Sequence, residues 1–222
     1  MFNNTYARTT VYNLPIFPET RNITVIGDNK RTLAEAATDF VFSFYRIMED
    51  IVVFDAHNLF KNLVGKNKKI FITGNKDYMN AFLQHLIKYK AKSNVYLVIL
   101  NAQELEQKLI LQLLRQENTF VKVVLFYNKP TNFLQNIAFN TQQVVFFKTV
   151  KFPFLILSTR ICLECGYAMP FLIKKLKGFV VCNMQDRSCK LYNANLGLKT
   201  HLIYNEITEV LEILLKKEAK NG

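Results

Sequence analysis

The chain has 222 residues, of which 50% are hydrophobic and 21% are charged, and its formal net charge is +12. This length allows one large domain or one domain with a small module, and the composition excludes a disordered chain. The positive charge favours a polyanionic partner, either nucleic acid or an acidic membrane surface.

The targeting signals of the chain are weak. The N-terminal residues are polar, so we expect no signal peptide. A membrane span needs about 18 consecutive apolar residues, and the longest apolar stretch, 152–173, contains Arg160 and Glu164. We therefore expect an intracellular protein of the nucleus or cytoplasm, with its cysteines as thiols or metal ligands before disulfides. The abundance of Asn, Lys, Phe and Tyr suggests an AT-rich genome, such as that of a large DNA virus or a parasite.

The N-terminal part, residues 1–50, is predicted to form an arm, a strand and a helix that pack on the main domain. Residues 23–26 favour a strand, and Gly27-Asp28-Asn29 favours a turn. Apolar residues recur at helical spacing over 33–49, behind the capping-box spacing of Thr32 and Glu35.

Strands and helices alternate regularly between residues 51 and 150. This alternation predicts βαβ crossovers and an α/β domain, a three-layer sandwich with a mainly parallel sheet. The predicted strands cover 51–56, 69–73, 95–100, 121–127 and 144–147. The predicted helices cover 59–64, 77–90, 101–116 and 128–139. Asn101 and Glu104 have a second capping-box spacing, which would open the third of these helices.

The most informative motif is the stretch 51–60. An apolar strand runs into Asp55, at the sheet edge where open α/β folds bind ligands, and Asn58 can cap the next helix. This strand, aspartate, spacer, asparagine and helix resembles the first motif of PIN-like nucleases, especially the NYN branch. The resemblance extends over roughly residues 50–150 and implies RNA or DNA as substrate. The alternative is a core strand followed by a capped turn.

The resemblance also implies a metal site, because PIN-like cleavage needs carboxylates that hold Mg²⁺ or Mn²⁺. The site residues that it implies are Asp55, Glu104, Glu106 and Asn132. His57 would act as a general base or contact phosphate, and its alternative is an ordinary histidine of a surface loop. The later family motif is Asp-rich, whereas the corresponding loop here carries Lys129 and Asn132. Each carboxylate outside the first motif also has a structural alternative in a helix first turn or on the surface.

All four cysteines lie in the basic segment 151–222, as Cys162-x2-Cys165 and Cys182-x6-Cys189. A Cys-x2-Cys pair followed by glycine, with a second pair in a hairpin over 179–192, resembles a zinc ribbon with one tetrahedral structural Zn²⁺. His201 is a substitute ligand. Two alternatives stay open, namely free cysteines packed as small hydrophobic residues and a redox pair. A final helix is predicted over 206–217.

Basic and aromatic residues alternate in the same segment, which favours phosphate contacts and base stacking. The predicted nucleic-acid-binding residues are His57, Lys148, Lys151, Arg160, Lys174, Lys175, Lys177 and Arg187. Gly27, Gly65 and Gly74 stand alone, so we expect neither a Walker-type loop nor a nucleotide-hydrolysing engine.

These features predict a nucleic-acid-binding protein with a degenerate PIN-like fold and structural zinc, acting in transcription or RNA processing. The alternatives are an active Mg²⁺- or Mn²⁺-dependent nuclease using Asp55, and a scaffold that docks other proteins through the zinc module and the C-terminal helix.

Overall fold

The structure is a computed structural model, and it describes residues 22–30, 32–34, 36–37, 50–57, 70–116, 120–147, 152–161, 178–185 and 188–193. The helices predicted over 59–64 and 206–217 lie outside these residues. None of the described helices is long and apolar enough to cross a membrane.

One eight-stranded sheet forms the centre of the fold. Its strands are β1 (Asn22–Ile26), β2 (Asp50–Phe54), β3 (Ile70–Thr73), β4 (Val95–Ile99), β5 (Val121–Tyr127), β6 (Gln143–Phe146), β7 (Gly178–Asn183) and β8 (Cys189–Asn193). The order is β3-β2-β4-β5-β1-β6-β7-β8. All pairs from β3 to β6 are parallel, and β7 and β8 add antiparallel. The prediction of an α/β fold with a mainly parallel sheet is confirmed.

Helices cover both faces of this sheet. The helix α1 comprises the described residues 30, 32–34 and 36–37. The others are α2 (Lys76–Tyr89), α3 (Gln107–Arg115), α4 (Leu134–Phe139) and α5 (Phe152–Ile161). Leu33 of α1 packs in one core with Val25 and Val53. The helices α2 to α5 are buried in a second core with Phe54, Leu97 and the other strand residues of the opposite face. This arrangement gives the predicted three layers.

Two helix starts differ from the prediction. The helix α1 begins at residue 30, because Asn29 and not Thr32 is its cap: Asn29 Oδ1 accepts a 3.3 Å hydrogen bond from the Thr32 N–H. The helix predicted from Asn101 is split into a 3₁₀ turn, Ala102–Glu104, and α3. Asn101 has φ 53° and ψ 48°, a left-handed conformation that asparagine tolerates, and its side chain caps nothing.

The C-terminal hairpin extends the main sheet through β7 and β8. Cys182 lies opposite Cys189 in this hairpin, and their sulfur atoms form a disulfide. The expectation of free thiols is therefore wrong for this pair. Both residues are buried in the same core as Val144 and Val180.

The disulfide also corrects the zinc prediction. A disulfide offers no thiolate to a metal ion, so Cys182 and Cys189 are not the zinc ligands that their spacing suggested. In the described parts of the chain, no group of three His, Cys, Asp or Glu residues is arranged to hold a metal ion. Cys162, Cys165 and His201 lie outside those parts. The structure therefore gives the predicted structural zinc no support.

Candidate functional site

The carboxyl ends of the six parallel strands form one polar edge, and the crossover direction reverses beside β1. The strand β1 leads into α1 on one face, whereas β5 and β6 lead into α4 and α5 on the other face. In open α/β sheets, such a switch point opens a crevice in which ligands bind. By this rule we expect the crevice between the β1–α1 turn and the residues that follow β5.

Three residues, Gly27-Asp28-Asn29, form the β1–α1 turn on one side of this crevice. The Gly27 N–H donates a 3.1 Å hydrogen bond to the Tyr127 carbonyl at the end of β5. A Cβ atom on Gly27 would lie 3.0 Å from Phe147 Cβ and 3.3 Å from Leu33 Cδ2. The turn is therefore packed closely between its neighbours, and the exposed Lys30 begins the helix beside it.

Three amide side chains, those of Asn101, Gln103 and Asn128, form the other side. Asn128 Nδ2 donates a 2.7 Å hydrogen bond to Asn101 Oδ1. Gln103 Nε2 donates at 2.8 Å to Asn128 Oδ1 and at 3.5 Å to Asn101 Oδ1. Asn101 and Asn128 are buried. The buried Gln103 Oε1 receives no hydrogen bond from the described residues, so the cluster keeps one unfilled acceptor.

A second polar group ties α3 to the end of β5. The Tyr127 hydroxyl donates a 2.9 Å hydrogen bond to Gln107 Oε1, and Thr131 Oγ1 donates to the same atom at 3.4 Å. Gln107 Nε2 in turn donates to the Ala102 and Leu105 carbonyls at 2.6 and 2.9 Å. Burial raises the pKa of Tyr127 well above its ordinary value, so the phenol stays a neutral donor.

The predicted catalytic residues lie at a different part of the edge. Asp55 follows β2 and is buried, and its backbone N–H donates a 2.8 Å hydrogen bond to the Thr73 carbonyl. Glu104 lies in the 3₁₀ turn after β4. Its Oε2 is 3.1 Å from Lys76 Nζ and its Oε1 is 3.6 Å from His57 Nε2. The structure therefore brings Glu104 and His57 together, with a lysine beside them.

The other predicted site residues are dispersed. Glu106 is exposed before α3, and its N–H donates a 3.1 Å hydrogen bond to Asn80 Oδ1. Asn132 is exposed in the turn before α4. Arg160 is exposed on α5 and donates to Gln135 Oε1. The predicted site residues that lie outside the described ranges are Lys148, Lys151, Lys174, Lys175, Lys177, Arg187, Cys162, Cys165 and His201.

The amide cluster was not predicted as a site from the sequence. A signal for it exists, since an asparagine follows each of two neighbouring buried strands, Asn128 directly after β5 and Asn101 two residues after β4. The β1–α1 turn was predicted as a turn, but its central place in the sheet was not.

No protein-family model matches the sequence, and no curated protein matches it. Solved structures do match. The genome packaging NTPase B204 from Sulfolobus turreted icosahedral virus 2, in complex with AMPPCP, superposes with a TM-score of 0.61 at 12% identity, over 79% of this chain and 98% of that chain. The DNA-packaging ATPase B204 from Sulfolobus turreted icosahedral virus gives 0.57 at 16% identity, over 77% and 96%.

The pCW3 conjugation coupling protein TcpA with ATPγS gives a TM-score of 0.59 at 12% identity, over 86% of this chain and 65% of that chain. These identities establish the fold alone. The resemblance to PIN-like nucleases is therefore wrong, and so is the function built on it: the short motif around Asp55 describes a buried strand and its turn, which many parallel sheets share. The chain shares the fold of these packaging and coupling proteins.

Proposed function

We propose that the protein binds a nucleoside triphosphate in the crevice between β1 and β5 and that it also binds DNA. The observation that carries this proposal is the position of β1, the Gly27-Asp28-Asn29 turn and α1 at the switch point of a P-loop NTPase fold. The matched B204 structures are complexes with AMPPCP, ATP-γS and AMP, and B204 is named as a DNA-packaging ATPase.

The residues around the β1–α1 turn support an anionic ligand. The sequence Gly-Asp-Asn-Lys-Arg-Thr over 27–32 retains the first glycine and the final threonine of the motif G-x-x-x-x-G-K-[ST]. It is two residues shorter, lacks the second glycine and has Arg31 in the place of the lysine. The positive charges suit a phosphate, and the shorter turn supplies fewer backbone N–H groups, so we expect weaker binding than a full P-loop gives.

The amide cluster offers a complementary partner for the rest of a ligand. Gln103 Oε1 is a buried acceptor that receives no hydrogen bond from the described residues. A buried polar atom of this kind calls for a partner. Because this atom has almost no accessible surface, a donor N–H group of a bound nucleotide reaches it only after the Gln103 side chain turns toward the crevice.

The charge of the whole chain supports the DNA part of the proposal. The sequence has 29 Lys and Arg residues against 17 Asp and Glu residues. A protein with such an excess binds a polyanion by releasing its counterions, and this binding weakens steeply as salt concentration rises.

Calorimetric titration of the full chain with ATP-γS tests nucleotide binding. We expect saturable binding with a Kd below about 1 mM. Lys30→Ala should weaken it by about threefold or more, because this exposed lysine begins α1 beside the crevice. Lys92→Ala is the matched control, since it also removes one exposed lysine but lies before β4, at the opposite edge of the sheet. Absent binding, or equal losses in both variants, would contradict the proposal.

Fluorescence anisotropy with a labelled DNA duplex tests the second part. We expect the logarithm of the binding constant to fall linearly with the logarithm of salt concentration, with an affinity loss of about tenfold or more between 50 and 200 mM salt. Binding that does not respond to salt, or no binding at 50 mM, would show that DNA is not the partner.

A further inference from the structure

We infer that side chains of the protein take the place of Mg²⁺ at the carboxyl ends of the parallel strands, which we call the strand-end edge. A nucleotide bound there is therefore not hydrolysed by a metal-dependent route. The consequence for a bound nucleotide rests on the proposed function. The lack of a metal site among the described residues does not rest on the proposed function, because it follows from the donor atoms of those residues.

The amide oxygens beside β1 are already used within the protein. In P-loop NTPases, Mg²⁺ is held by the hydroxyl of the P-loop Ser or Thr and by an aspartate. Here the two strands next to β1 on the crevice side are followed by Asn128 and Asn101. Asn101 Oδ1 accepts from Asn128 and Gln103, and Asn128 Oδ1 accepts from Gln103. Neutral oxygens engaged in this way do not replace a carboxylate for a hard cation.

Asp28 lies in the β1–α1 turn, but no group of three His, Cys, Asp or Glu residues in the described parts of the chain is arranged to hold a metal ion. Glu104, which follows β4, is held by two basic side chains, Lys76 and His57. Glu104 has Lys76 Nζ 3.1 Å from one oxygen and His57 Nε2 3.6 Å from the other. Its side chain is only 25% exposed. The Lys76 ammonium group thus stands where a divalent ion would need to approach, and like charges repel.

Asp55 lies too far from the crevice to complete such a site. It follows β2, which is three strand positions from β1 in the sheet. At about 4.8 Å per strand, this separation is about 14 Å. A metal ion that contacts a phosphate at the β1–α1 turn therefore does not also contact Asp55.

The N-terminus of α1 is also partly used by hydrogen bonds within the protein. Asn29 Oδ1 accepts the Thr32 N–H at 3.3 Å, and the turn before it has three residues. A side chain of the protein therefore takes one of the free N–H groups with which a helix N-terminus binds phosphate. The described residues of this edge do not fit Mg²⁺-dependent hydrolysis, although the fold is that of NTPases.

Titration of the full chain with Mn²⁺ alone, followed by electron paramagnetic resonance, tests the inference without any nucleotide. We expect no saturable Mn²⁺ site at the edge below about 1 mM. Lys76→Gln should raise Mn²⁺ affinity by about threefold or more, because Glu104 loses its counter-ion, and Lys92→Gln should not. A wild-type Mn²⁺ site that disappears in Glu104→Gln or Asp55→Asn would overturn the inference, and so would equal effects of the two lysine variants.

Phosphate release from ATP, measured with Mg²⁺ and with EDTA, is the second arm. We expect no Mg²⁺-dependent release and an ATP-γS affinity that changes by less than about twofold between the two conditions. Mg²⁺-dependent release that is lost in Glu104→Gln or Asp55→Asn would overturn the inference while leaving nucleotide binding intact. If ATP-γS does not bind at all, the proposed function fails, and the Mn²⁺ titration still decides whether the edge holds a metal.

Discussion

Asn128 Nδ2 donates a 2.7 Å hydrogen bond to Asn101 Oδ1, and this bond joins the loops that follow β5 and β4. Both side chains are buried. Asn101 has a left-handed backbone conformation, which ends β4 and directs the chain into the 3₁₀ turn that carries Glu104. The amide pair therefore fixes the loops that follow β4 and β5 relative to each other.

Replacing Asn128 by leucine should destabilise the protein. The substitution removes the donor to Asn101 and the acceptor for Gln103, and it leaves a buried amide oxygen with only the 3.5 Å contact to Gln103. We expect the free energy of unfolding to fall by about 1–3 kcal/mol in urea titrations. Asn132→Ala, at an exposed position of the same loop, should change it by less than about 0.5 kcal/mol. Equal effects would show that the amide network does not stabilise the edge.

The packing of α2 on the sheet predicts a larger effect at Leu83. This side chain is fully buried in the core that contains Phe54 and Leu97. Leu83→Ala should lower the free energy of unfolding by about 2–5 kcal/mol, through lost burial and the remaining cavity. Tyr89→Ala on the same helix, 58% exposed in the wild type, is the control and should cost far less. If Leu83→Ala lowers the free energy of unfolding by less than about 1 kcal/mol, α2 does not pack on the sheet as described.

The buried phenol of Tyr127 should make the free energy of unfolding sensitive to alkaline pH. Burial raises the pKa of its phenol above the ordinary value of 10.0. The pKa of this phenol is higher in the folded chain than in the unfolded chain, so its contribution to stability is fully present below the unfolded pKa. This contribution decreases as the pH rises above about 10, because the unfolded chain then releases the proton more readily than the folded chain. The free energy of unfolding should therefore fall less steeply between pH 9 and 11 in Tyr127→Phe than in the wild type. Tyr78→Phe, at an exposed site, should keep the wild-type slope.

The Cys182–Cys189 disulfide predicts a defined peptide map. Protein alkylated without reductant and digested should give one cross-linked peptide pair that contains both residues. Opening this bond by reduction should lower the free energy of unfolding by about 2 kcal/mol, because the unfolded chain regains the freedom of a short loop. Free, alkylated Cys182 in protein kept under air would contradict the disulfide, and one zinc atom per chain lost with Cys182→Ser would restore a metal role.

Local patterns predicted the individual elements well. The strand predicted over 95–100 is observed as Val95–Ile99, and the one predicted over 121–127 is observed as Val121–Tyr127. Such agreement follows from short apolar runs bounded by polar turns, which report burial on both faces of a strand. Helix starts were less accurate, because Asn29 and Asn101 bond to groups that spacing does not reveal.

The place of β1 and the position of the crevice were not predictable in this way. Ile26 lies opposite Tyr127 and Phe146, about a hundred residues further along the chain, and no local pattern encodes that pairing. The local pattern predicts a site at Asp55, because an aspartate directly after an apolar strand is visible in the sequence. The switch point depends instead on which face each helix covers, and this emerges only from the packed structure. The four-cysteine spacing was likewise interpreted as metal binding, although a cross-strand pair also fits Cys182 and Cys189.

Hydrogen–deuterium exchange of the full chain with and without ATP-γS is the decisive measurement, because it locates the bound nucleotide. The proposed nucleotide site predicts slower exchange in the β1–α1 turn and the first turn of α1, residues 27–34, and in the loop after β5, residues 128–133, with EDTA present. Protection confined to other regions, such as the hairpin of β7 and β8, or protection that appears only when Mg²⁺ is added, would contradict it.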